Sequence, residues 1–290
     1  MNRRRMILGD CGILTVAFIW GATNVVIRGA LEDLTPLWFC ALRFAVAFAA
    51  TAVFFGRRAV SMPRAASAAG FLTGAVFIMA YILGAIALLF TTAGNESFII
   101  AMSVVFVPLA AALIERKIPH RRVVVSIALC VAGMAGLMLD RSLSVNVGDL
   151  MCFGSMLFVT VYILLVQKFV RNADAYALAF WQALGGMVIS AAAASIFEPM
   201  PSEIPRAAWT AVVYAGTVGF ALTLVIQNVA QKYTTATHTA ILLSMSSVFG
   251  RVLGIALIGE PMTVRILAAS ASILAGVITA ELAPRGARNK

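Results

Sequence analysis

The sequence predicts an all-α membrane protein with ten transmembrane helices, arranged as two inverted five-helix repeats around a central cavity. Hydrophobic residues make up 62% of the 290 residues, charged residues make up 12%, and the mean hydropathy is +0.97. A soluble domain of this size needs far more polar surface. Apolar runs such as 99–102 and 191–194 lack the apolar–polar alternation of barrel strands, so helices are expected.

Ten apolar stretches are each about long enough to cross the hydrocarbon core, which takes roughly 20 residues. They cover residues 7–29, 35–55, 66–90, 94–114, 123–139, 147–168, 174–196, 207–229, 236–258 and 263–282. The run after Arg3-Arg4-Arg5 is longer than the apolar core of a typical signal peptide. We therefore interpret it as an uncleaved first span.

The basic residues are concentrated in alternate loops, which predicts the orientation. With the N-terminus placed inside, 16 of the 22 Lys and Arg residues fall in inner loops and tails. Four fall in outer loops and two lie within spans. This positive-inside bias predicts cytoplasmic termini. We expect a location in the plasma (bacterial inner) membrane. The bias also accounts for the net charge of +10 without a nucleic-acid partner.

The second half of the chain repeats short motifs of the first half. Gly9-Asp10 opens the first span and Gly148-Asp149 opens the sixth, at an offset of 139 residues. Phe90-Thr91 matches Tyr233-Thr234 at an offset of 143 residues. Because each half has an odd number of spans, repeats 1–143 and 144–290 are expected to have opposite orientations. Inverted repeats are typical of secondary transporters, so a monomer with a substrate site between its halves is expected.

Several short motifs carry a resemblance to a known family: Trp20-Gly21, Arg43-Phe44, the tract from Ala87 through Ala93, and Glu115 and Glu260 just past spans four and nine. The chain resembles the drug/metabolite transporter superfamily in its ten-helix EamA form, which includes the YddG-type amino-acid exporters. The resemblance covers nearly the whole chain and implies the export of small organic metabolites. The small multidrug-resistance relatives use a membrane-embedded acid in their first span, whereas this chain has only Asp10 near the inner end.

Polar and aromatic side chains within the spans are the candidate binding residues, because polar groups in lipid are costly unless they face protein or water. Asn24 either binds substrate or joins two helices by a hydrogen bond. His238 either carries a proton or is a partly solvated residue at a helix start. The glycines near Phe77 and Tyr81 also fit close helix packing, and the serines near Ser244 fit packing or a pore lining. The predicted substrate-binding residues are Trp20, Asn24, Phe77, Tyr81, Tyr162, Trp181, Gln227, His238 and Ser244.

Arg43 and Arg251 lie within the outer half of their spans and form a candidate gate together with Glu96. An unpaired arginine at a span centre costs at least about 2.5–3.5 kcal/mol. Each arginine therefore needs a carboxylate, a carbonyl or water, and Glu96 and Asp149 are the available outer carboxylates. The charges form either a structural ion pair or an external gate that breaks when the cavity opens outward.

Other classes of function find less support in the sequence. There is no metal-ligand cluster, nucleophile elbow or phosphate-binding loop, and the four cysteines have no paired spacing. We therefore expect no enzyme activity, no metal and no cofactor. Aromatic rings and amides with few membrane charges suit a small zwitterion such as an amino acid, and they also suit a hydrophobic drug. A channel-like facilitator is the alternative from another class, although a channel favours like residues around one axis.

Overall fold

The computed structural model describes residues 3–26, 34–87, 89–91, 96, 99–138, 147–201, 203–258 and 263–282. Within these ranges the chain is helical and contains no β-strand. Among the described residues, seven helices are long and apolar enough to cross a membrane, and the stretches Ile99–Glu115 and Val264–Ala280 are apolar but shorter. The prediction of an all-α, multi-pass membrane protein is confirmed, and the count of ten spans stays a prediction.

The helices follow the predicted apolar stretches closely. They are α1 (Arg3–Val26), α2 (Pro36–Val60), α3 (Arg64–Ala87), α4 (Ser103–Glu115), α5 (Arg121–Met138), α6 (Val147–Phe169), α7 (Ala175–Phe197), α8 (Arg206–Gln231), α9 (Ala236–Leu243, continuing as Met245–Ile258) and α10 (Val264–Glu281). Parts of the predicted stretches, including residues 27–29 and 94–95, lie outside the described residues.

Side-chain carboxylates satisfy the first backbone N–H groups of α2 and α7. Asp174 accepts hydrogen bonds from two N–H groups in the first turn of α7, at 2.8 and 3.1 Å. Glu198, at the end of α7, accepts hydrogen bonds at 3.1 Å from the backbone N–H groups of Leu37 and Trp38. A helix start has unpaired N–H groups and a partial positive charge, so a carboxylate there stabilises it. Glu198 therefore joins α7 to the start of α2.

Glycines allow α3 and α7 to approach closely. A Cβ added at Gly74 would lie only 2.0 Å from the carbonyl oxygen of Gln182, and one at Gly70 would lie 2.6 Å from Cβ of Trp181. In a bilayer, lipid is as apolar as the side chains, so helices associate largely through close packing of small residues. Gly70 and Gly74 therefore serve close helix packing, which is one of the roles that the sequence allows for them.

Helix α8 contains a wider turn in its middle. It is α-helical over Arg206–Tyr214, π-helical over Ala215–Leu222 and α-helical again over Thr223–Gln231. Within this wider turn, Gly216 packs against α2, where an added Cβ would lie 2.6 Å from the carbonyl oxygen of Arg43. Such π-helical turns are frequent at functional sites.

The starts of α1 and α6 are joined to distant segments by matching hydrogen bonds. Thr234 Oγ1 donates to Asp10 Oδ1 at 2.7 Å, and Thr91 Oγ1 donates to Asp149 Oδ1 at 2.5 Å. The glycine before each aspartate packs on the same partner segment, since a Cβ there would lie 2.9 and 2.8 Å from a backbone carbonyl oxygen. Gly9-Asp10 thus contacts the segment that contains Thr234, and its repeat Gly148-Asp149 contacts the segment that contains Thr91.

Candidate functional site

Aromatic side chains from α1, α2, α3, α6 and α8 meet between the two halves of the chain. The aromatic cluster consists of Trp20, Phe44, Phe77, Tyr81, Tyr162 and Phe220. Phe77 is central to it. Its ring centroid lies 4.2 Å from that of Tyr162 in a stacked arrangement and 5.2 Å from that of Tyr81 in an edge-on arrangement. These are geometries that aromatic pairs prefer. Four of the predicted binding residues are therefore brought together.

Four of the six rings of the aromatic cluster are buried. Phe44, Phe77, Tyr162 and Phe220 are at most 3% exposed, so these rings contact each other and fill the space between the helices. The sequence predicts a central cavity between the repeats, and that cavity stays a prediction. Aromatic side chains can pack on one another as well as on a ligand, which residue types alone do not reveal.

Trp20 is held in place by hydrogen bonds to the middle of α8. Its Nε1 donates to the carbonyl oxygen of Gly219 and to Thr223 Oγ1, both at 3.2 Å. These bonds orient the indole so that it stacks on Phe77, with 6.2 Å between ring centroids and 22° between planes. Asn24, the other predicted residue of this span, belongs to α1, and its side chain lies outside the described residues.

Arg43 lies at the edge of the aromatic cluster. Its guanidinium carbon is 4.7 Å from the ring centroid of Tyr81, 4.6 Å from that of Phe220 and 5.3 Å from that of Phe39. Arg43 Nη2 donates to Cys40 Sγ at 3.0 Å. Aromatic faces attract a cation, each by about 0.5–2 kcal/mol depending on burial. The guanidinium is thus surrounded mainly by rings.

Among the described residues, Arg43 forms no ion pair with an outer carboxylate, which was one of the partners that the sequence allowed. Asp149 accepts instead from Thr91. Glu96 lies beside α3, where a Cβ added at Gly84 would be 3.0 Å from its Oε1. Arg251 is on α9, next to Gly250, which packs on Gly21 of α1. The three predicted gating residues therefore lie at three different contacts between helices. A gating role for them stays a prediction.

A group of buried amides lies next to the aromatic cluster, and we name it the amide layer. It consists of Gln167, Gln182, Gln227, Asn228 and Gln231, each at most 7% exposed. Tyr162 donates its hydroxyl to Gln227 Oε1 at 3.4 Å, which links the amide layer to the rings. Within the layer, Asn228 Nδ2 donates to Gln182 Oε1 at 2.8 Å and Gln167 Nε2 donates to the carbonyl oxygen of Gln231 at 3.1 Å.

Not every hydrogen-bonding group of the amide layer has a protein partner. Gln182 Nε2, Asn228 Oδ1 and Gln167 Oε1 are buried without one among the described residues. A buried polar group without a partner costs about 1–3 kcal/mol. The layer therefore has unused capacity to bind water or a polar ligand group.

Three predicted binding residues lie outside the aromatic cluster and the amide layer. Trp181 Nε1 donates to the carbonyl oxygen of Ala59 at 3.2 Å, at the end of α2. His238 is in the first turn of α9, where its backbone N–H bonds Thr235 Oγ1. Ser244 lies between the two parts of α9, with its Oγ 3.8 Å from Cys130 Sγ. Trp181 and Ser244 thus contact other helices. A binding role for the three residues stays a prediction.

Residue-by-residue reasoning missed several members of the site. Phe44 and Phe220 look like ordinary apolar residues, and nothing in their spacing separates ring packing from lipid contact. Asn228 and Gln231 had a usable signal, because they fall with Gln227 within five residues at the end of the eighth apolar stretch. Amides so close together in a membrane helix indicate a common polar environment. Gln167, at the end of the sixth stretch, was missed as well.

An apolar groove of about 360 Å³ lies elsewhere, between the start of α1 and the end of α8. It is lined mostly by aliphatic residues and glycines, among them Leu8, Gly12 and Val229. Leu8 is 62% exposed, so the groove lies at the surface of the helix bundle. The groove offers a polar molecule few hydrogen-bonding side chains, whereas the amide layer has several. Among the described residues, no group of three or more His, Cys, Asp and Glu side chains could hold a metal.

A bundle of apolar helices with aromatic and polar side chains buried between its halves is the arrangement of a membrane transporter. The sequence matches the model of the EamA-like transporter family twice, over residues 7–139 and 146–280. The chain belongs to the EamA-like transporter family, which confirms the resemblance at the level of that family. An uncharacterized transporter from Archaeoglobus fulgidus is 27% identical over 262 residues, covering 89% of this chain and 81% of that protein. A solved crystal structure with 17% identity shares the fold, with a TM-score of 0.82 over 97% of this chain and 98% of that one.

Proposed function

We propose that this protein is a secondary transporter of the bacterial inner membrane that exports small organic metabolites, above all amino acids, by alternating access. The observation that carries the proposal is the aromatic cluster with its adjoining amide layer, located between the two halves of a transporter-family chain. Transporter substrates bind near the midplane where repeats meet. The rings suit the apolar part of a small metabolite, and the amides suit its polar end. On this proposal the chain resembles the YddG-type exporters.

We further propose ten spans in two inverted repeats, 1–143 and 144–290. Contacts between α5 and α10 support this arrangement. Cys130 Sγ lies 3.9 Å from the carbonyl oxygen of Ile273, and Ser272 Oγ donates to that of Leu129 at 2.8 Å. The two residues of each pair are 143 positions apart in the sequence, which is the offset between the repeats. Residues exchanged by a two-fold axis contact each other only if they lie close to that axis, so the axis would pass between α5 and α10.

The hydrogen bonds at the starts of α1 and α6 support the same symmetry. The exchange of the two halves converts the contact between Asp10 and Thr234 into the contact between Asp149 and Thr91. In an inverted arrangement the first contact lies near the cytoplasmic face and the second near the outer face. Each contact joins one repeat to the other, so the pair would hold the halves together on both sides of the membrane.

In the alternating-access cycle, the amide layer forms the inner closure and the aromatic cluster forms the occluded centre. Gln227 and Gln231 are fully buried in the last turns of α8, which the proposed topology places in the inner half of the membrane. Their mutual bond is long, at 3.5 Å, and water can replace it at little cost. Opening inward would then separate α6 and α7 from α8 and hydrate the amides.

The proposed topology predicts that reporter domains fused after Arg141 and after Arg285 lie on opposite sides of the membrane. The first position follows the fifth span and the second follows the tenth, and the positive-inside bias places them outside and inside. Alkaline phosphatase should be active after Arg141, and green fluorescent protein should fluoresce after Arg285. A fusion after Arg171, in an inner loop, is the matched control. Activity of alkaline phosphatase at both positions 141 and 285 contradicts the inverted repeat.

The transport activity is tested with purified protein in liposomes loaded with amino acids, nucleosides or hydrophobic cationic drugs, with and without a pH gradient. The expected result is saturable flux of one or more amino acids above that of empty liposomes. Saturable flux of the drugs alone identifies a multidrug exporter instead. Flux that rises linearly with concentration for all small solutes identifies a channel-like facilitator. Flux no greater than that of empty liposomes for every compound rules the proposal out.

A further inference from the structure

Arg43 carries a positive charge in a position where the described residues supply no negative partner. The residue is 5% exposed, and no described carboxylate lies within ion-pair distance of its guanidinium. Nη2 donates to the thiol of Cys40, and the buried Nε has no acceptor among the described residues. A buried charge is costly unless it is paired and hydrogen-bonded. Arg43 therefore lacks, among the described residues, the anion and the oxygen acceptors that a buried guanidinium needs.

The rings around Arg43 complete only part of the site. Tyr81 and Phe220 lie against the guanidinium at 4.7 and 4.6 Å and attract its charge. Neither ring face supplies oxygen acceptors in line with the N–H groups. The planar fork of a guanidinium matches a carboxylate through two parallel hydrogen bonds. A carboxylate would supply both the negative charge and the oxygen atoms that are missing.

The backbone at Arg43 is firmly held. An added Cβ at Gly216 of α8 would lie 2.6 Å from the carbonyl oxygen of Arg43, so the two helices touch at that point. On the next residue, Phe44 packs against Gly186 of α7, where an added Cβ would lie 2.2 Å from the Phe44 ring. A binding side chain on a rigid backbone loses little entropy when its ligand arrives.

The same rings connect Arg43 to the centre of the aromatic cluster. Tyr81 and Phe220 contact the guanidinium, and their ring centroids lie 5.2 and 5.8 Å from that of Phe77. A molecule with a carboxylate at Arg43 would therefore extend its apolar part onto these rings once they separate. A single guanidinium suits one carboxylate better than a multiply charged phosphate, which calls for several cations.

We infer that Arg43 binds the carboxylate of the transported substrate, so that the substrate class is a small carboxylate with an apolar portion. This inference rests on the proposed transport function and adds to it the group that is recognised and the residue that recognises it. An arginine with a purely structural role would affect folding without distinguishing one solute from another.

The test compares each amino acid with the amino alcohol that differs only at the carboxylate. L-phenylalanine and L-phenylalaninol, L-leucine and L-leucinol, and L-alanine and L-alaninol compete for flux in proteoliposomes. The wild-type protein is expected to prefer the acid by roughly 10- to 100-fold in apparent affinity, because charge-assisted hydrogen bonds typically contribute a factor of that size to binding. Arg43→Gln should abolish that preference, and Arg43→Lys should retain part of it. Arg58→Gln is the control, because Arg58 is 58% exposed at its side chain.

The ratio of acid to alcohol decides the inference. Equal affinity of the wild-type protein for acid and alcohol overturns it, and so does an unchanged ratio in Arg43→Gln. If Arg43→Gln does not fold, as judged by its melting temperature, an unchanged ratio in Arg43→Lys overturns the inference in its place. Absence of flux for every compound refutes the proposed function itself. Flux of acids and alcohols alike leaves that function standing and removes only the role of Arg43.

Discussion

Gly74→Ala is expected to lower the free energy of unfolding by about 3 kcal/mol or more, at the upper end of overpacking effects. The added methyl group would lie 2.0 Å from the carbonyl oxygen of Gln182 and 2.7 Å from its carbonyl carbon. These are backbone atoms, so no change of side-chain rotamer relieves the overlap and α3 must move away from α7. Helices in lipid depend on close packing, so that movement loses much of the contact between them.

The measurement is the melting temperature in detergent, together with the yield of folded protein. Gly56→Ala is the matched control, because a Cβ at Gly56 has nothing within 4 Å. That substitution should leave stability unchanged or raise it by about 0.5–1 kcal/mol, since alanine favours a helix more than glycine does. Equal melting temperatures for Gly74→Ala and wild type would mean that α3 and α7 are farther apart than described.

Phe77→Ala is expected to weaken substrate binding roughly tenfold and to reduce transport by a similar factor. Phe77 contacts each of the other rings of the aromatic cluster: Trp20, Phe44, Tyr81, Tyr162 and Phe220. Its removal leaves a void that the neighbouring rings fill, so the surface that the proposal assigns to the substrate changes shape. The cost in stability should be about 2 kcal/mol. Soluble cores lose about 3–5 kcal/mol for this change, but part of that is transfer from water, which is small in lipid.

Phe54→Ala is the control for Phe77→Ala, because Phe54 is on α2, 76% exposed on the lipid-facing surface. Both variants lose the same side chain, and only Phe77 belongs to the aromatic cluster. Affinity for the amino acids found in the liposome assay, measured alongside melting temperature, separates binding from folding. Normal affinity in a folded Phe77→Ala protein would assign the cluster to packing alone and place the substrate elsewhere.

The prediction of the fold from the sequence depended on features that act locally. An apolar run of about 20 residues cannot remain in water, and a helix satisfies its own backbone hydrogen bonds, so spans follow from hydropathy alone. Helices α1, α2 and α6 therefore lie close to their predicted ranges. The π-helical turn of α8 was not predictable, because no local residue preference marks it. Within that turn, Gly216 lies in close contact with the backbone of Arg43, a contact between helices distant in sequence.

For the site, the sequence identified polar and aromatic residue types but not their partners. Tyr162 and Gln227 were selected separately, and the structure joins them by a hydrogen bond. Trp181 and Gln182 are neighbours in the sequence, yet the indole of Trp181 bonds the end of α2 while Gln182 joins Asn228 in the amide layer. Successive residues of a helix point in different directions, so adjacency along the chain does not give a shared environment.

The sequence by itself determined the class of this protein: an all-α, multi-pass membrane protein of the EamA-like transporter family, since composition and family motifs are properties of the chain. Only the tertiary structure decided how buried groups are satisfied. The sequence left Arg43 a carboxylate, a carbonyl or water as its partner, and the structure places it against the rings of Tyr81 and Phe220. The physical reason is that a guanidinium accepts either carboxylates or aromatic faces as neighbours, and the packing of helices distant in sequence determines which of them it meets.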